Sequence, residues 1–190
     1  MASYHTAKQI LRRAYPDAIF DSQSLTDWQG EFPLPDAVAE YFREFGPVDV
    51  TIDGYGNPYF LPSLSQLWAF QAGYRYHPQT LERFTEWDDD WLVIADEGGD
   101  AFIFSRASNV ILHAYHGEGA WRPKPMFENL AEMATTFSII GDIVVSAGQD
   151  LTDDDSLILP RYQEEAKTRI SNLIHSHERA DALLSMLGWS

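Results

Sequence analysis

The sequence predicts an α+β fold. It has an antiparallel sheet of about five to six strands, N-terminal helices and a long helix packed on that sheet, and a C-terminal helical extension. Three observations lead there. Trp91–Ala95, Ala101–Phe104 and Val110–Tyr115 are short runs rich in β-branched and aromatic residues, of strand length. The connections between them, Asp96–Asp100 and Ser105–Asn109, are about half the dozen residues that a parallel crossover needs. The flanking segments instead repeat apolar residues three and four apart, the period of an amphipathic helix.

In chain order, Tyr4, Ala7, Ile10, Leu11 and Ala14 share one face of a helix over Ser3–Ala14, which Pro16 ends. Asp21–Phe32 reads as loop, with Trp28 as an anchor. Leu34-Pro35 opens a second helix over Asp36–Phe45, because proline is pre-set for a first turn and lacks only a donor that would be orphaned there. Gly46-Pro47 stops it. Val48–Ile52 and Tyr59–Leu61 are short strands separated by the breakers Asp53-Gly54 and Gly56-Asn57-Pro58. Ser63 is placed to cap a helix carrying Leu64, Leu67, Trp68 and Gln71. Gln79–Phe84 reads as a further helical turn leading to Trp87. In the central meander, Gly98 and Gly99 supply the positive φ that a tight turn requires.

Pro123 and Pro125 then mark a crossing, and a long helix is expected from Met126, with Phe127, Leu130, Ala134, Phe137, Ile140 and Val144 as its stripe and Ala147-Gly148 as its end. Asp150–Asp155 reads as a linker. It separates a domain over residues 1–149 from a helical extension over residues 150–190, whose apolar face runs from Tyr162 to Leu187. That face must be buried against the domain or in a homodimer.

Composition narrows the function classes. Cysteine is absent, which excludes disulfides, thiol catalysis and cysteine-ligated zinc and suits a cytoplasmic protein. Met1–Pro16 lacks the continuous apolar core of a secretory signal. The most apolar later window, Ile139–Val145, is interrupted by Gly141 and Asp142 and falls short of the roughly 20 residues of a membrane span, so no membrane partner is expected. Thirteen basic against twenty-nine acidic residues give a net charge of −16, which disfavours contact with nucleic-acid phosphate. Such a surface keeps the protein soluble or attracts a basic protein partner.

The succession of elements resembles the SUKH superfamily, the fold of Smi/Knr-type regulators and of many bacterial immunity proteins. It consists of the helix ending at Phe45-Gly46, a strand, the Trp68 helix, Trp91–Asp96, Gly98-Gly99-Asp100, Phe102 and Phe104, Val110 onward, Trp121, and a helix near Phe127. The resemblance covers roughly Phe32 to Phe137 and lies in the order of the pieces. It implies an α+β domain without enzymatic chemistry that binds and neutralises a toxin, or acts as a regulatory interaction module. The segment from Asp150 to Ser190 has no place in that pattern.

The candidate contact residues are Asp88, Asp89, Asp90, Glu97 and Asp100 as an acidic face, with Trp87 as its apolar anchor, since tryptophan is favoured at interface hot spots. Trp68 and Trp87 read as the more open tryptophans, Trp91 and Trp121 as core or half-core. The same carboxylates also fit solvated turn positions. Asp96, Asp100, His113 and His116 could in principle hold a metal for hydrolysis. However, their spacing matches no calcium loop, and strand residues three apart point to opposite faces. No phosphate loop, nucleophile elbow or dinucleotide pattern is present, so no cofactor is expected. The leading expectation is a non-catalytic immunity protein that occludes the active surface of a basic toxin. A housekeeping scaffold of the same fold is the alternative, and a metal-dependent hydrolase the third.

Overall fold

The computed structural model describes residues 2–189. The protein is α+β. Six strands form one sheet in the order β1 (Val50–Ile52), β2 (Tyr59–Leu61), β3 (Trp91–Glu97), β4 (Asp100–Ser105), β5 (Ile111–Ala114) and β6 (Lys124–Phe127). Each pairing from β2 to β6 is antiparallel. The helices are α1 (Tyr4–Ala14), α2 (Asp36–Glu44), α3 (Leu64–Leu67), α4 (Leu130–Ala147), α5 (Pro160–Ile174) and α6 (His177–Met186). The chain divides into two compact units. One comprises Met1–Asp17, Ile52–Pro58 and Ala131–Ser190, the other Ala18–Thr51 and Tyr59–Leu130.

The first unit is helical. Ser3 caps α1 by accepting from the Thr6 backbone N–H at 3.1 Å. Asp142 of α4, almost wholly buried, receives both Arg13 of α1 and Arg169 of α5 at 2.7–2.8 Å. Burial alone would raise this carboxyl, but the two guanidiniums overcome that and hold it below its ordinary value. Glu132 of α4 takes Arg179 of α6 in the same forked manner, at 2.8–3.0 Å. Charged pairs on α4 thus tie both C-terminal helices to it. The 22 residues Leu130–Leu151 are long and apolar enough for a membrane span, but 72% of the most apolar window is buried within the protein.

Several sequence expectations are corrected here. α4 starts at Leu130, because Lys124–Phe127 forms the edge strand β6. An edge is a place where Pro125 can sit in a sheet without costing a ladder hydrogen bond. Asp150 lies in a short 3-10 turn, Gly148–Leu151, and Thr152–Ile158 is a closed turn. Thr152 bridges Ile158, and the Asp153 carboxylate accepts from the Asp155 and Leu157 N–H groups. The C-terminal helical extension consists of two helices, α5 and α6. His175 takes a left-handed conformation, and Ser176 then caps α6. Gln79–Phe84 is not helical; Tyr76 bridges Arg83 there. Ser63 makes no capping bond to α3; its N–H and hydroxyl donate to Asp49, and the Gln23 side-chain oxygen accepts from Leu64 N–H at 2.7 Å instead.

The second unit holds the meander. One sheet face presents Val93, Ala101, Ile103 and Ala114 to Tyr74 and Trp87. The opposite face carries Phe102, Phe104, Ile111 and Phe127, as the cross-strand pairs require. Gln71, fully buried, substitutes for a strand neighbour where β3 bulges. Its amide group donates to the Val93 carbonyl at 2.9 Å and accepts from the Val93 N–H at 3.0 Å.

Candidate partner-binding face

The β3–β4 hairpin positions every acidic candidate. Gly98 and Gly99, with φ of 60° and 102°, form a two-residue turn in the left-handed region, which matches the twist of the paired strands. The turn sets Glu97 directly opposite Asp100. Asp88, Asp89 and Asp90 precede the other end of β3, roughly 20 Å away at 3.3–3.4 Å per residue. The predicted acidic cluster is therefore two separate groups, one at each end of the hairpin.

At the Asp88–Asp90 end the charge is bound up in local structure. Asp90 accepts from Ser105 Oγ and from the Ala107 N–H, both at 2.6 Å, and so closes the β4–β5 turn. Asp88 accepts from the Asp90 N–H at 2.8 Å. The Asp89 carboxylate pairs with Arg83 and lies 3.6 Å from Arg75, while its carbonyl accepts from Arg106 at 2.7 Å. Arg75 is itself buried, and burial lowers its pKa from the usual arginine value. Arg106 stacks on the Phe32 ring at 4.0 Å, and Arg75 lies over Phe32 and Trp68 at 5.6 and 5.7 Å. Trp68 is half-buried among Trp28, Phe32 and Tyr76. Trp87, expected at an open rim, is only 2% exposed and belongs to the core with Tyr74 and Val93. Its indole N–H donates to the Trp91 carbonyl at 3.3 Å. A side chain so placed cannot anchor a partner.

At the turn end one carboxylate, Glu97, is not compensated in this way. Glu97 forms no ion pair among the described residues. Burial, with the Asp100 charge opposite it, pushes its pKa up to about 7. Tyr59 faces Glu97 from β2. Asp100 accepts from the His116 N–H at 2.8 Å and lies 2.6 Å from its Nδ1. Asp96, on the opposite sheet face, accepts from the Tyr74 hydroxyl at 2.9 Å, and burial raises its pKa. His113 stands between the Phe102 and Tyr115 rings, 4.8 Å from each; burial lowers its pKa, and its Nε2 has no hydrogen-bond partner. Asp100 and His116 are thus bonded to each other, while Asp96 is engaged with Tyr74 and His113 with the two rings. Among the described residues no three His, Asp or Glu side chains gather in a way that could hold a metal.

Beside this end lies a pocket of about 230 Å³ lined by Glu86, Tyr115, Gly117, Glu118, Gly119, Ala120 and Trp121. It adjoins the hairpin turn through His116, which bonds Asp100, and through Tyr74, which links Asp96 to the Trp121 ring at 5.6 Å. Trp121 also meets Trp87 edge-on at 5.5 Å. The aromatics that reach the surface here are Tyr115, 49% exposed, and the half-buried Trp121, which has Trp87 as its backing. The sequence contains a signal for it: Gly117-Glu118-Gly119-Ala120 is a glycine-bracketed loop that ends at Trp121. No family model matches the chain, and no curated protein or solved structure matches it either.

Proposed function

We propose that this chain is a non-catalytic protein-binding domain, an immunity protein of the SUKH type, which neutralises a bacterial toxin in the cytoplasm by occluding its active surface. The observation that carries the reading is the turn end of the β3–β4 hairpin. There Glu97 and Asp100 face each other across the strands with no arginine or lysine between them. Like charges directly opposite are unfavourable in a sheet, and a cationic partner surface relieves them. The neighbouring aromatic pocket adds apolar area at the same place. The net charge of −16 and the order of elements in the meander support the same reading.

The mechanism follows from charge and shape. A toxin that acts on nucleic acid presents a basic groove, and an acidic inhibitor takes the place of its substrate. Opposite charge accelerates encounter, while buried aromatic contact sets the off-rate. The test is to isolate the toxin encoded by the neighbouring gene and measure its inhibition and binding at low salt. A stoichiometric complex with loss of toxin activity is expected. No complex at low salt, or a lone gene set among metabolic genes, would favour a regulatory scaffold instead.

A further inference from the structure

Resting on the partner-binding reading, we propose that the pocket of Glu86, Tyr115, Glu118 and Trp121 is a socket for a single arginine side chain of the partner. At about 230 Å³ the space lies below the roughly 300–1,000 Å³ of small-molecule sites and suits one long side chain. Tyr115 and Trp121 form part of its wall, and the π-face of an indole or phenol ring attracts a cation. Trp121 is held from behind by Tyr74 and Trp87, so little ordering is needed when a ligand arrives.

The polar groups of the pocket point to the same ligand. Two carboxylates, Glu86 and Glu118, line it, and neither forms an ion pair among the described residues. Gly117 and Gly119, with φ of 79° and 77°, bend the chain on both sides of Glu118 and bring it into one pocket with Glu86. No lysine or arginine lines the pocket; Arg122, next in sequence to Trp121, is not part of it. An anion would be repelled by both carboxylates, and a purely apolar side chain would leave them without a counter-charge. A planar guanidinium can stack on the indole while donating to the carboxylates, which an ammonium does less well.

The test uses the full-length protein with ¹⁵N-labelled indoles, titrated with a blocked Gly-Arg-Gly peptide and with its citrulline counterpart. The Trp121 indole resonance, assigned through Trp121→Phe, is expected to move saturably with the arginine peptide and to stay still with citrulline. Glu86→Gln combined with Glu118→Gln should weaken binding roughly five- to tenfold. Both side chains are exposed, so the variant should keep its circular dichroism spectrum. The inference is overturned if the Trp121 indole moves no more than that of Trp28, whose N–H is occupied by the Phe32 carbonyl at 2.8 Å. An equal response to citrulline also overturns it. A toxin that is captured while the arginine peptide leaves Trp121 unmoved sinks this socket and leaves the binding function standing. Arginine binding without toxin capture does the reverse.

Discussion

At one end of the β3–β4 hairpin, Arg75, Arg83 and Arg106 gather about Asp89, and Asp90 closes a turn. At the other end, Glu97 and Asp100 oppose each other, and the nearby imidazole of His116 bonds Asp100. Both ends read as acidic runs in the sequence. One uses its carboxylates to hold the chain together, while the other leaves Glu97 without a cation. Counting acidic residues therefore does not locate a binding face. What matters is whether the fold leaves a carboxylate without a donor, as it leaves Glu97 while Asp100 is bonded by His116.

On that contrast, the largest effect should come from the buried ring of Trp87. Trp87→Ala should cost about 3–5 kcal/mol of stability in urea unfolding, as for other large core truncations. Trp121→Phe should change stability by less than about 1.5 kcal/mol. Comparable losses at both positions would erase the distinction between backing and anchor.

Next comes Asp90. Asp90→Ala removes the acceptor of Ser105 Oγ and of the Ala107 N–H and should cost about 1.5–3 kcal/mol, the range for hydrogen bonds to a charged group. Toxin affinity should be unchanged in the fraction that remains folded. A loss of affinity without a loss of stability would move the binding face to this end.

Glu97 gives a smaller effect with a definite sign. Its pKa rises from the ordinary 4.5 to about 7 in the folded protein, so the folded state holds the proton more tightly than the unfolded state across that interval. Stability should therefore be greatest below about pH 4.5 with respect to this group, and should fall as pH rises through 7. Glu97→Gln should remove that slope and raise stability at pH 8 by up to about 1 kcal/mol. A parallel pH profile for the variant would show that Glu97 titrates normally. The least effect is expected at Asp88. Asp88→Asn keeps an acceptor for the Asp90 N–H and should stay within about 0.5 kcal/mol of the parent.

The sequence made much of this architecture legible. The glycine pair at 98–99 between two β-branched runs carries its own turn geometry, and Leu34-Pro35 with Gly46-Pro47 brackets α2. What it hid has physical causes. Pro123 and Pro125 read as a crossing and hid β6, because an edge position is a property of the finished sheet and not of the local sequence. Trp87 and Trp121 both follow polar loops, and no periodicity in a loop says which ring turns inward. Arg75, Arg83 and Arg106 are far enough apart in the chain that their meeting at Asp89 depends on the tertiary fold. The apolar face from Tyr162 to Leu187 is shared by α5 and α6, and the break between them lies at Ser176, whose hydroxyl accepts from the Arg179 N–H at 3.2 Å.

The most direct test of the proposed function compares two variants against the proposed partner, the toxin of the neighbouring gene, across a series of salt concentrations. Glu97→Gln with Asp100→Asn should lower affinity at least severalfold and flatten its salt dependence, while Asp88→Asn leaves both as in the parent. Equal affinity and equal salt slope in all three proteins, or a loss confined to Asp88→Asn, would contradict the assignment of the binding face to the turn end of the hairpin.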